Sequence, residues 1–173
     1  MLILQAAQKL LNTSRLEASL YISQPSEGQL LHSWYCRLLP TGFPGKLMVM
    51  YVHEPSLMTI VCRGKTIKGS WDEFVLRLPL LLEKYNFQPS FIQAEMALVN
   101  GYVVGKTNSR SMLGYMNQQV KQLEYDCSLF ASYDHISQDI LEERMMEYLY
   151  QPADKKKPFT TAVEYWKEWM ILP

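Results

Sequence analysis

The sequence predicts an α+β fold: a small, mostly antiparallel sheet with helices packed on one face, followed by a C-terminal helical extension. Three observations lead there. LMVMYVH (residues 47–53) and LMTIVCR (residues 57–63) flank Glu54-Pro55-Ser56 as two apolar strands flank a hairpin turn. Longer stretches, centred on residues 71–85 and 111–125, repeat their apolar residues at helical spacing. Near the end, Pro152 and Pro158 bracket the charged run Asp154-Lys155-Lys156-Lys157, which has the composition of a linker. The expected division is one α+β domain over residues 1–150, a linker over 151–158 and a tail helix over 159–173 docked on the domain.

Taken in order, Leu2 to Leu4 suit a short strand and AAQKLLNT a helical turn or two before the breaker-rich QPSEGQ. In LLHSWYCRLL, His32, Trp34, Cys36 and Leu38 alternate with Ser33, Tyr35 and Arg37, the period of a strand with one largely apolar face. PTGFPGK then turns the chain into the hairpin, whose strands are nearly continuously apolar and therefore read as central. Ser70-Trp71-Asp72-Glu73 has the form of a capping box, so a helix is expected from Ser70, its apolar face running from Trp71 to Tyr85 and Pro79 kinking or dividing it. Further helices are predicted from Pro89 to Val99, from Ser111 to Tyr125 and over ISQDILEERMMEYLY, with YVVGKT a strand between the first two. In the tail, Thr161-Ala162-Val163-Glu164 is a second capping box, and Val163, Trp166, Trp169 and Met170 form an apolar stripe. Trp166 and Trp169 are also the candidate partner-binding residues, because exposed tryptophans mark interfaces.

Composition narrows the function. Basic and acidic residues balance at 17 each, so no global field draws the chain to nucleic acid or an anionic membrane. Cys36, Cys62 and Cys127 are odd in number and scattered, the usage of reduced thiols in a cytoplasmic protein. No stretch has the length and apolarity of a membrane span. Gly105-Lys106-Thr107 ends like a P-loop, but the position five before Gly105 is Asn100, and Tyr102-Val103-Val104 reads as a strand; nucleotide hydrolysis is not expected. His32, Cys36 and His53 lack the spacing of a thiolate–imidazole pair, the histidines lack metal-ligand spacing, and no cofactor is expected. Asp139, Glu142, Glu143 and Glu147 read as a solvated helix face.

The best candidate site is the segment from Lys106 to Lys121. On the predicted helix Leu113, Met116, Val120 and Leu123 point one way, and Arg110, Gly114, Asn117 and Lys121 the other. Lys106, Ser109 and Arg110 surround the helix start, whose free N–H groups favour an anion, and Gly114 implies a close approach by a strand or a ligand. The structural alternative has Arg110 pairing with a carboxylate, Asn117 bonding to a loop and Gly114 packing on a helix.

The order QKLL, HSWYCRLL, apolar hairpin and TNSRSMLGYMNQQVKQLEY resembles an uncharacterised bacterial domain-of-unknown-function family over about residues 1–127. The resemblance implies that His32 and Trp34 match that family's Ser-Trp segment, and that Arg110, Ser111, Gly114 and Asn117 match its helix motif. It implies no activity. The function expected is an intracellular binding or interaction module with a protein partner or self-association and no catalytic constellation. The alternatives are a phosphate-directed protein using Lys106 and Arg110, with a phosphate-bearing ligand, and a structural subunit of a homo-oligomer.

Overall fold

Five strands, β1 (Leu2–Ala6), β2 (Ser33–Pro40), β3 (Leu47–His53), β4 (Thr59–Arg63) and β5 (Tyr102–Lys106), form one sheet in the order β4-β3-β2-β1-β5. The helices are α1 (Gln8–Ser14), α2 (Ile67–Lys84), α3 (Pro89–Leu98), α4 (Arg110–Ser128), α5 (Gln138–Met146) and α6 (Ala162–Trp166). The computed structural model describes residues 1–19, 31–152 and 158–171. The expected QPSEGQ loop, the lysine run of the linker and the last two residues of the tail lie outside the described residues.

The α+β class holds, with a mixed sheet. β2, β3 and β4 are an antiparallel meander, while β1 pairs in parallel with β2 on one side and β5 on the other. Parallel neighbours need crossovers, and the connections containing α1 and the α2–α3 pair supply them. Helices cover both faces of the sheet, not one. Trp34, Cys36, Tyr51 and Ile60 meet Phe74, Leu78 and Leu82 of α2 on the first face. Tyr35, Met50, Val52 and Val61 meet Met116, Val120 and Leu123 of α4 and Leu141 and Met145 of α5 on the second. The nearly continuous apolarity of β3 and β4 requires this, since a strand with two apolar faces must be covered twice.

β4 is an edge strand despite its apolar sequence, and side chains complete its outer hydrogen bonds. The Val61 N–H donates to Glu142 Oε1 at 3.0 Å, Gln138 Nε2 donates to the Val61 carbonyl at 2.7 Å, and the Arg63 N–H donates to Glu73 Oε2 at 2.5 Å. Arg77 clamps Glu142 with Nε and Nη2 at 2.8 Å each and also reaches Asp139. The expected solvated carboxylate face is thus divided: Asp139 faces water, but Glu142 is 2% exposed. Glu73 is likewise engaged here and not in a capping box. α2 begins three residues before Ser70, where Thr66 Oγ1 accepts from the Gly69 N–H at 3.0 Å, and continues through Pro79. Ser70 turns inward to the Tyr51 hydroxyl at 2.7 Å.

After α5 the chain changes faces. Tyr150 packs in the second core, and its N–H and carbonyl pair with Thr160. Thr161 then caps α6, accepting from the Glu164 N–H at 3.2 Å, and Trp166 enters the first core among His53, Phe87 and Phe91. The Gln88 N–H donates to the Trp169 carbonyl and the Ile171 N–H to the Asn86 carbonyl, fastening the tail beside the α2–α3 turn.

Two stability outcomes follow. Glu142→Ala leaves the Val61 N–H without its acceptor and the shielded Arg77 guanidinium with Asp139 alone, and should lower unfolding free energy in urea by about 3 kcal/mol; a loss under about 1 kcal/mol contradicts the edge role. Trp166→Ala should cost about 3–5 kcal/mol. Trp166→Phe should cost well under half of that, because the buried indole N–H has no hydrogen-bond partner among the described residues.

Candidate functional site

The β3–β4 turn is the floor of the site, and its form is set by its own buried groups. Ser56 Oγ bonds to His53 Nδ1 at 2.8 Å and accepts from the Met58 N–H at 3.2 Å, and the Leu57 N–H donates to the His53 carbonyl at 2.9 Å. Leu57 adopts φ of 59°, a left-handed conformation unfavourable for a branched side chain, with that side chain fully inside. Gln119 of α4 donates to the Leu57 carbonyl at 3.4 Å and to Thr59 Oγ1 at 3.2 Å. With Ser56 and Leu57 turned inward, Glu54 and Pro55 are left on the outer side.

Two further walls meet this floor. The first is the initial turn of α4, where Ser109 Oγ caps the Met112 N–H at 3.3 Å and the Tyr35 hydroxyl donates to Asn108 Oδ1 at 2.6 Å. The second is the chain on either side of the linker. Between the β3–β4 turn and the second wall lies a cleft of about 440 Å³ whose described lining includes Pro55, Tyr150, Phe159, Glu164 and Tyr165. It shares Pro55, Tyr150 and Pro152 with an adjoining recess of about 90 Å³ that reaches Glu54, Ser109, Ser111 and Tyr115. Tyr115 and Tyr150 meet edge to face at 5.6 Å. The Tyr115 hydroxyl donates to the Gln151 carbonyl at 2.6 Å and the Tyr150 hydroxyl to the Pro55 carbonyl at 3.2 Å.

Among the described residues, the charged side chains lining these two spaces are Glu54 and Glu164. Burial pushes the Glu54 carboxyl above the usual glutamate range. Its carboxylate has no hydrogen-bond or ion-pair partner among the described residues, whereas Glu164 lies 3.9 Å from Lys167 on the exposed side. Burial likewise raises the Tyr115, Tyr150 and Tyr165 phenols, keeping them neutral.

Among the described residues, no nucleophile hydrogen-bonded to a base lines the cleft. The His53–Ser56 pair is enclosed, with exposures of 1% and 0%, and the imidazole packs against Trp34 and Trp166. Cys36, Cys62 and Cys127 are buried thiols that burial pushes up. Among the described residues, no group of three histidine, cysteine or carboxylate side chains is arranged to hold a metal ion.

The residues selected from sequence disperse. Lys106, Arg110 and Lys121 are exposed and make no ion pair among the described residues, so Arg110 has not found the carboxylate of the structural alternative. Ser109 is a helix cap and Ser111 lines the recess. Asn117 Oδ1 accepts from Arg37 Nη1 at 2.5 Å, tying α4 to β2. Trp34 is a core residue donating to the Leu31 carbonyl at 3.0 Å, and neither it nor His32 lines the cleft. Trp166 belongs to the chain's own core and offers no partner surface, while Trp169 stays 38% exposed against Phe91. Glu54, Pro55, Tyr115, Tyr150, Phe159 and Tyr165 were not singled out by the sequence; the available signal was tyrosine and proline clustering in YLYQP and PFTTAVEYW.

Gly114 departs furthest from expectation. It is exposed, and a β-carbon there would meet nothing within 4 Å, so no packing contact among the described residues requires a glycine. Gly114→Ala should therefore stabilise the protein by about 0.5–1 kcal/mol in urea denaturation. Destabilisation would reveal a close contact at this position.

A search of curated proteins and of solved structures finds no match. The model of the family described as Domain of unknown function (DUF6933) matches residues 3–164, so the match continues beyond the α4 motif through α5 and into α6. The chain belongs to that family of unknown function, DUF6933.

Proposed function

We propose that the protein is a non-enzymatic, cytoplasmic binding module whose ligand enters the cleft between the β3–β4 turn and the C-terminal segment. The observation that carries this reading is the cleft's combination of size, aromatic walls and few polar groups. A space of about 440 Å³ lies within the usual range for small-molecule sites, and such sites are mostly apolar with a few placed polar groups. The absence of a nucleophile–base pair among the lining residues favours binding over catalysis. The three buried, unpaired thiols favour a reducing compartment.

A set of phenyl probes with different headgroups, benzyl alcohol, benzylamine, benzoate and phenyl phosphate, tests this by protein NMR. At least one should shift resonances of Tyr115, Tyr150 and Tyr165 saturably, and Tyr165→Ser, which alters a half-exposed wall and not the core, should weaken it about three- to tenfold. Phenyl phosphate binding at Lys106 and Arg110 with no shift in the cleft would replace this reading with the phosphate-directed one. No saturable shift in the cleft from any probe would remove it.

A further inference from the structure

We propose that the outer ridge of α2 is a self-association surface, on which two copies of the chain pair through antiparallel α2 helices. Asp72, Leu76, Leu80 and Lys84 follow one another at four-residue steps and are all exposed. Such a row is the ridge by which one helix packs into the grooves of another. Leu76 and Leu80 are 68% and 60% exposed, and Leu76 is the most exposed large apolar side chain among the described residues. Single exposed leucines are ordinary. Two adjoining ones on an outer helix, with a charge at each end, have the form of a small interface, apolar at its centre and polar at its rim. None of the four residues lines the cleft.

The charges identify the occupant and its direction. Asp72 flanks the leucines on the N-terminal side and Lys84 on the C-terminal side. A second copy laid parallel would set Asp72 against Asp72 and Lys84 against Lys84. A copy turned about a twofold axis level with Leu78 sets Leu76 against Leu80 and Asp72 against Lys84, each contact occurring twice, as an isologous dimer requires. Asp72 has no ion-pair partner among the described residues, and Lys84, paired with Glu143 of its own α5, has further N–H donors to offer. Lys68, one step further out on the ridge, falls beyond the paired segment.

The surface beside the ridge suits an aliphatic side chain. Leu80 and Leu81 border a hollow of about 180 Å³, and the charged groups that complete its lining are bound in the Arg77–Asp139, Arg77–Glu142 and Lys84–Glu143 ion pairs. In the antiparallel register Leu76 of the second copy meets Leu80 at the rim of that hollow. Strand pairing is closed on this side of the sheet, because Glu73, Gln138 and Glu142 already bond the outer edge of β4. α2 contributes Glu73 and Arg77 to that closure and keeps its outer ridge uncovered among the described residues.

The paired segment is smaller than a standard interface of about 800 Å² per partner, so the dimer should be weak, with a Kd on the order of 0.1 mM. Sedimentation equilibrium of the intact chain up to about 1 mM should show the mean mass rising from monomer towards dimer. Leu76→Ser and Leu80→Ser should each weaken association at least about fivefold and melt like the parent. Asp72→Lys and Lys84→Glu each set like charges against one another across the twofold axis and should weaken it by a similar factor. In an equimolar mixture of these two variants both pairs are opposite again, and association should return to within about twofold of the parent. A parent chain that stays monomeric at about 1 mM overturns the proposal. A dimer that survives both serine substitutions places the interface elsewhere and overturns it too. A mixture no more associated than its two components overturns the antiparallel register.

Discussion

A five-stranded sheet has two edges, and at β4 the hydrogen bonds that a sixth strand would make are made by side chains. Glu142 takes the Val61 N–H, Gln138 gives to the Val61 carbonyl, and Glu73 takes the Arg63 N–H. Open strand edges invite pairing with another chain, so this closure has a reason beyond local stability. It also ties α2 and α5 together, because Arg77 of α2 holds Glu142 and Asp139 of α5. Two charges taken from water are tolerable because their remaining lone pairs and protons are bonded. Burial pushes the Glu142 carboxyl above the usual glutamate range, and Arg77 and the Val61 N–H offset part of that rise.

Fixing α5 against the β4 edge determines where the chain goes next. Tyr150 follows in the second core, beside the β3–β4 turn, while Trp166 lies in the first core on the opposite face. The described residues on either side of the linker, up to Pro152 and from Pro158, approach the β3–β4 turn. They are held at two points, by the Tyr150–Thr160 backbone pair on one side and by Trp166 among His53, Phe87 and Phe91 on the other. Among the described residues, the cleft lies between Pro55 of the β3–β4 turn and Tyr150, Phe159, Thr160 and Tyr165, which these anchors hold in place. Preorganisation of this kind lowers the ordering cost of binding.

Elements were more legible in the sequence than sites. Apolar period located the β3–β4 hairpin, β5, α3 and α4, because burial sets period directly. The start of α2 was misread because Ser70 and Glu73 have capping-box spacing but serve Tyr51 and the β4 edge, contacts made by residues distant in sequence. Glu142 looked solvated for the same reason. Alternation in β2 identified an apolar face but could not show that Tyr35 and Arg37, on the other, would meet Asn108 and Asn117. Those pairs also explain why the polar stripe of α4 looked like a ligand surface. Part of it ties the helix to β2, part faces water, and only Ser109 and Ser111 at its start reach the recess.

The cleft escaped the sequence because none of its residues is unusual alone. Tyrosine beside a core and proline beside a linker are ordinary, and Glu54 reads as a turn residue. Their joint effect arises from how each polar group is used. Tyr150 directs its hydroxyl proton at Pro55, across the junction of the tail with the β3–β4 turn, and Tyr115 directs its own at Gln151. Both bonds brace the fold, yet each also removes a donor from the lining. Glu54 is placed beside those spent donors with no counter-charge among the described residues, and Arg110, the nearest basic residue in the chain to the α4 cap, does not line either space. The bonds that brace the cleft thus also decide which hydroxyl protons remain free to a ligand.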